Sequence, residues 1–324
     1  MTYRFPGFLD LQVNGFAGVD FNAPDLHPEH IDAVVGHLRR TGVTRCLPTL
    51  ITAPLDAFAR NARLLARSSH ATIAGLHMEG PYLSPEDGPR GAHPADYIIR
   101  ASADDFERRQ EAAEGRIVLV TLAPEVPGAL RLIEHLVTRG VRVALGHTAA
   151  TPVQLDAAIA AGASIATHLG NGCAQMLPRH PNGLWTLLAA DAVFASFIVD
   201  GHHLPDVTVK TMIRAKTAAR SILVTDAMAA AGSPPGIYPI GPVRGELDRA
   251  GRVSLPGTPY LAGSALTMPE AIANTVRFTG LPITDVVAMA CAVPSRAMGI
   301  PVSGTVLAEW DETRLSLRVI DIAE

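Results

Sequence analysis

Four side chains with the chemistry of a hydrolytic site stand at the ends of apolar runs: Glu79 in LHMEGP, His147 in ALGHT, His168 in ATHL and Asp226 in LVTDA. One carboxylate and two imidazoles, with a fourth position left for water or substrate, make a recurrent catalytic zinc site. An ion held there lowers the pKa of water from roughly 15.7 to about 7 and polarises a neighbouring carbonyl. Asp226 would then accept a proton from water and return it to a departing nitrogen. Hydrolysis of an amide fits this set. Each residue alone has a plainer reading: a rim histidine that hydrogen-bonds, a solvated strand end at Glu79, a turn cap at Asp226. Their joint placement points to a metal.

That placement depends on the elements between them. Short runs rich in β-branched residues predict strands at 8–14, 43–50, 72–79, 117–123, 141–147, 163–168, 193–200 and 221–226. Most are apolar on both faces, as parallel strands covered by helices are. Amphipathic stretches at 28–41, 54–67, 128–139 and 152–161 alternate with them; Ser102 and Thr151-Pro152 read as helix starts, and Gly42, Gly140 and Gly162 as stops. Eight strands alternating with helices predict an α/β fold, a (β/α)8 TIM barrel, whose strand ends share one catalytic rim. Gln12 and Asn14, Glu79, His147, His168, Asp200 with His202 and His203, and Asp226 would all meet there. His27, His30, His37, His70 and His135 fall away from that rim and read as surface residues.

The barrel domain is expected over 6–304, with an inserted hairpin near 229–260 and helices at 266–279 and 284–298. Residues 305–324 read as a reduced β appendage, the remnant of a small β domain, and only five residues precede Pro6. At 48% hydrophobic and 18% charged residues the chain can bury a large core. A net charge of −4 leaves no electrostatic footprint for nucleic acid or anionic membrane. Cys46, Cys173 and Cys291 lie far apart with no paired spacing, which suits a reducing, cytoplasmic setting. No apolar run reaches the length of a membrane span.

Two residue choices argue for a single ion. Gln12-Val13-Asn14 on the first strand offers neutral amides where binuclear barrel hydrolases often carry His-x-His. The only lysines are Lys210 and Lys216, so no modified bridging lysine can stand on the fourth strand.

In order, PGFLDLQVNG, LPTLIT, GLHMEGPYLS, RGAH, VTLAPE, LGHTAAT, ATHLGNG, VDGHH, LVTDAMAAAG and LAGSALTM resemble the N-acetylglucosamine-6-phosphate deacetylase family of the amidohydrolase superfamily. The resemblance runs from about Pro6 to Gly304. It implies one divalent ion, zinc by expectation, on Glu79, His147 and His168, with Asp226 as acid/base and His93 polarising the acetyl carbonyl. It implies substrate contacts at Ala92, His93, Asn171, Gly172, Arg179, Asp200, His203, Leu261, Ala262 and Gly263, with Arg179 and His203 on a sugar phosphate. The implied reaction converts N-acetylglucosamine 6-phosphate to glucosamine 6-phosphate and acetate, and the implied assembly is a homodimer. The loop HLGNGCAQMLPRHPNG departs from the N-A-M-P that relatives carry after H-L-x, through Gly172, Cys173 and Ala174. The competing readings are an amidohydrolase for another N-acyl or cyclic amide substrate, and a barrel that binds a sugar without turnover.

Overall fold

Parallel pairing begins with the first apolar run, Phe8–Val13, whose six residues are all buried. In the computed structural model, which describes residues 1–258 and 260–323, this strand pairs with Val43–Leu50. The sheet then proceeds in chain order through Leu76–Glu79, Ile117–Leu122, Arg142–Leu145, Ile165–Ala166, Phe194–Phe197 and Ser221–Leu223. The last strand returns to the first through a parallel bridge between Val13 and Ala227, where the Asn14 amide donates to the Ala227 carbonyl at 2.7 Å. The sheet is thus a nearly closed eight-stranded (β/α)8 barrel, as the alternation of elements predicts. Positions 259 and 324, which fall in the expected insert and tail, lie outside the described residues.

The helices cover the strands by the usual stripe. In Pro28–Arg40 the buried positions are Ile31, Val34, Val35 and Leu38, the spacing of one helical face. Each such side chain stabilises the fold by about 1.5–3 kcal/mol on burial. Start signals act as expected: Ser102 accepts from the Asp105 amide, and Thr151 forms a reciprocal capping box with Gln154. Gly42 ends the first helix for two reasons. Its φ is +87°, and a Cβ there would lie 2.6 Å from the Phe8 ring.

Two features differ from expectation. The helix expected over 284–298 is two helices, Ile283–Ala290 and Ala292–Met298, broken at Cys291 (φ −136°, ψ −72°). Pro294 explains the break, since it lacks the amide that would reach back to Ala290 and its ring would crowd that carbonyl. The second is a strand at Thr2–Pro6, not foreseen from sequence. It pairs antiparallel with Thr305–Asp311, which in turn pairs with Ser316–Ala323. Val306, Ala308 and Trp310 face inward from the central strand of this sheet.

After the eighth strand a three-stranded antiparallel sheet, Gly236–Ile240, Val243–Leu247 and Val253–Ser254, stands over the rim. Ile240, Leu247 and Val253 form a small core of their own with Ile51, Met228 and Ala262. This insert walls one side of the catalytic cavity.

Candidate active site

Residues at the carboxyl ends of the strands meet in one cavity of about 390 Å³. Glu79, His93, His147, His168 and Asp226 all line it and all are buried. Glu79 Oε1 lies 3.1 Å from His168 Nε2 and 3.3 Å from His147 Nε2. One donor atom from each of these residues lies within 4.8 Å of the other two. A tetrahedral ion with bonds of about 2.0–2.1 Å has ligand-to-ligand edges of about 3.3 Å, so the measured separations fit a metal among these atoms.

Tautomers support the same fit. His147 Nδ1 lies 2.9 Å from the Pro89 carbonyl, which can only accept, so Nδ1 carries a hydrogen and Nε2 is the ring nitrogen left to face the site. The His168 backbone amide is fixed by Ser196 Oγ at 2.7 Å. The rings of His147 and His168 meet edge to face at 4.9 Å, and His93 packs on His147 at 4.4 Å.

The backbone is unusual at three of these positions. His147, His168 and Asp226 have φ values of 50°, 29° and 50°. Left-handed backbone at a non-glycine residue costs on the order of 1–2 kcal/mol, and such strain gathers at functional sites. Each residue follows its strand, so the twist turns its side chain inward over the barrel mouth.

Burial would raise the Glu79 carboxyl, but hydrogen bonds from His147 and His168 outweigh it and hold the group well below its ordinary range. Burial, then the charge of Glu79, pushes the Asp226 carboxyl up to about 6. A proton can therefore come and go at Asp226 near neutral pH, as a general acid/base requires. Burial first, and the neighbouring His147 next, pulls His93 down to about 3, so its imidazole is neutral. His93 Nδ1 contacts Thr52 Oγ1 at 3.0 Å, and its Nε2 is 3.8 Å from Glu79 Oε2.

Of the other expected contacts, Ala92, Asn171, Gly172, His203, Leu261 and Gly263 line the cavity. Ala262 is fully buried between the last two. Asp200 does not line the cavity but stands behind His203: its Oδ2 accepts from His203 Nδ1 at 2.7 Å, and its Oδ1 accepts from the amides of His202 and His203. Arg179 lies exposed on the outer part of the 169–183 loop and does not line the cavity. Among the described residues no lysine or arginine does.

Three polar side chains gain partners that the sequence reading does not assign. Gln12 Nε2 donates to Glu79 Oε1 at 2.9 Å, and Asn14 Nδ2 donates to Asp226 Oδ1 at 2.7 Å. One layer deeper, His77 joins Thr49 and Thr121, and Thr121 joins Thr167, in a buried chain of 3.2, 2.8 and 2.8 Å contacts. Their signal was period-two spacing: Gln12 with Asn14, and His77 with Glu79, share the inward face of their strands.

Comparison with known proteins follows the same lines. The model of the amidohydrolase family matches residues 3–309. N-acetylgalactosamine-6-phosphate deacetylase of Escherichia coli O157:H7 is 34% identical over 300 residues, 91% of this chain and 78% of that protein. N-acetylglucosamine-6-phosphate deacetylase of Lysinibacillus sphaericus is 34% identical over 292 residues, 89% and 74% of the two chains. A mutant N-acetyl-D-glucosamine-6-phosphate deacetylase from Mycobacterium smegmatis, solved in complex with N-acetyl-D-glucosamine-6-phosphate, superposes with a TM-score of 0.90 at 33% identity. That match covers 98% of this chain and 85% of the other.

Proposed function

The chain belongs to the N-acetylglucosamine-6-phosphate deacetylase family of amidohydrolases, and we propose that it hydrolyses the N-acetyl group of N-acetylglucosamine 6-phosphate, releasing acetate and glucosamine 6-phosphate. The observation that carries this reading is the convergence of Glu79, His147, His168 and Asp226 in one buried cavity. Glu79, His147 and His168 hold one divalent ion, and a nitrogen–oxygen donor set of this kind suits zinc. When bound, such an ion supplies Lewis acidity that activates water and polarises an acyl carbonyl.

The remaining steps belong to the chain. Asp226 takes one proton from the attacking water as the oxygen–carbon bond forms. It gives that proton to the amide nitrogen as the carbon–nitrogen bond breaks, so the amine leaves neutral and Asp226 is again a carboxylate. Neutral His93 donates from Nε2 to the acetyl oxygen, where negative charge develops. His203, its Nδ1 hydrogen directed to Asp200, turns Nε2 towards the sugar. Ala92, Asn171, Gly172 and the Leu261–Gly263 segment form the walls that orient it, with Asp200 and Ala262 as backing.

Phosphate recognition is part of the same proposal. Arg179 has no partner among the described residues, and its planar fork suits phosphate oxygens. Near it in sequence, Met176 is 88% exposed and Trp185 49% exposed. That apolar surface supports a homodimer, which sedimentation would check. Cytoplasmic residence belongs to the reading as well, supported by three unpaired cysteines.

The test is acetate release from N-acetylglucosamine 6-phosphate and its C4 epimer, with and without a chelator. We expect turnover that stops on chelation and returns with Zn²⁺. No acetate from either phosphorylated sugar at millimolar concentration would overturn the proposal.

A further inference from the structure

We propose that the two carboxamides of the first barrel strand divide the site between them: Gln12 positions the carboxylate of Glu79 that holds the metal, and Asn14 positions the carboxylate of Asp226 that carries the proton. The second half rests on the deacetylase reading; the first needs only the metal site.

Gln12 and Asn14 are two residues apart on extended backbone and therefore project from the same face of the strand, into the barrel. They are 2% and 1% exposed. Their backbone is pinned between neighbours, with the Val13 amide on Thr49 Oγ1 at 3.2 Å and the Asn14 amide on the Ala227 carbonyl at 2.7 Å. From this fixed rail each side chain reaches a different carboxylate, 2.9 Å for Gln12 to Glu79 Oε1 and 2.7 Å for Asn14 to Asp226 Oδ1. An ionised carboxylate only accepts, so the NH₂ end of each amide must be the end that faces it.

The choice of residue follows from charge. Glu79 and Asp226 are two carboxylates in a cavity that no lysine or arginine lines, among the described residues. A cation at either position would fix its carboxylate but repel a divalent ion a few ångströms away. An imidazole would offer a lone pair and compete for a metal. A carboxamide does neither; it supplies a neutral N–H that orients the acceptor and leaves the negative charge available. At Glu79 the amide reaches the same oxygen that lies 3.1 and 3.3 Å from the two imidazole nitrogens. Gln12 thus sets the rotamer of a ligand atom. At Asp226 no other side chain among the described residues donates, so Asn14 decides which oxygen is tethered and leaves Oδ2 to exchange the proton.

The two roles predict a crossed pattern of loss. Gln12→Met keeps the length of the side chain and removes the donor. It should weaken Zn²⁺ binding by about 10–100-fold, the usual effect of losing a partner behind a ligand. Asn14→Leu should leave Zn²⁺ affinity within about twofold but lower kcat by about tenfold or more with KM little changed, as expected when only the proton-transfer step is disturbed. Zn²⁺ affinity is read by competition between the metal-stripped protein and a chromophoric chelator, and kinetics by acetate release from N-acetylglucosamine 6-phosphate. If the methionine or leucine variant does not fold, Gln12→Asn and Asn14→Ser, whose shorter side chains withdraw the donor, enter the same comparison. Equal loss of metal from both variants, or wild-type affinity in the Gln12 variant, overturns the division. A change confined to KM in the Asn14 variant overturns its half. The chelator measurement uses no substrate, so it decides the Gln12 half even if the wild-type protein releases no acetate and the deacetylase reading falls.

Discussion

Gly172 offers a test of how tightly the departing loop is coupled to the proposed metal ligands. It has φ +57°, and a Cβ built on it would lie 2.8 Å from His147 Nδ1 and 3.1 Å from Cε1. Gly172→Ala therefore has two costs. Left-handed backbone costs an L-residue about 1–2 kcal/mol, which lowers global stability. The methyl must also displace a ring that is held on its other sides, by His93 at 4.4 Å and His168 at 4.9 Å. Moving the ring loses the Nδ1–H bond to Pro89, about 1 kcal/mol net. It also takes Nε2 out of line with Glu79. Together about 2 kcal/mol of metal binding is at stake, or roughly 30-fold in Kd at 1.4 kcal/mol per tenfold. The control is Gly115→Ala, where φ is +78° but nothing lies within 4 Å of the new carbon. Chelator competition should show weakened Zn²⁺ binding in the Gly172 variant alone, while both variants melt a few degrees lower. Wild-type affinity in Gly172→Ala, or an equal loss in Gly115→Ala, would refute the coupling.

Asp226→Asn should retain the fold and the bound metal but lose at least about a hundredfold in kcat, the lower range for general acid–base catalysis; near-normal turnover would move the proton to His93. Arg179→Ala should cost at least tenfold in kcat/KM on the 6-phosphorylated sugar, about 1.4 kcal/mol, and leave slow turnover of the plain sugar unchanged. Burial pushes the Asp10 carboxyl from 3.8 up to about 7, against its hydrogen bonds from Thr225 and Gln12, so between those values the folded chain keeps a proton that the unfolded chain has released. Its contribution to stability must then fall as pH rises across that window, by up to about 4 kcal/mol, and urea melts of Asp10→Asn should show a flatter pH profile than wild type. Zn²⁺ at a hundred times its Kd should stabilise the fold by about 2.7 kcal/mol, read as a higher melting temperature than that of the metal-stripped protein.

The barrel was legible because its signals are local. Runs such as IVLVTL at 117–122 declare a strand covered on both faces without reference to anything distant. The rim was legible because Glu79, His147, His168 and Asp226 each end an apolar run. What escaped the sequence depends on partners far along the chain. The strand Thr2–Pro6 is five residues long, and its register, Tyr3 opposite Ala308, spans the whole molecule. The amide of Gln12 finds a carboxylate 67 residues away, and that of Asn14 one 212 residues away. Left-handed backbone at His147, His168 and Asp226 left no trace either, since glycine is the only residue that announces it.

Those three residues show what the scaffold is for. Each sits in a conformation costing on the order of 1–2 kcal/mol, and all three border the cavity that also buries Glu79. Summed, the strain is about 3–6 kcal/mol, a sizeable fraction of the roughly 5–15 kcal/mol that stabilises an ordinary domain, before the repulsion between two buried carboxylates is counted. A loop could not hold such a set. The nearly closed barrel can, because His147 and His168 lie just beyond strands paired on both sides and Asp226 lies next to the Val13–Ala227 bridge, so relaxing one backbone angle would disturb parallel pairing beside it. Glu79 and Asp226 also bring two carboxylates into a cavity that no lysine or arginine lines among the described residues, so a divalent cation would offset their charge. Strain and charge therefore point the same way: both suit a rim that could hold a cation on Glu79, His147 and His168.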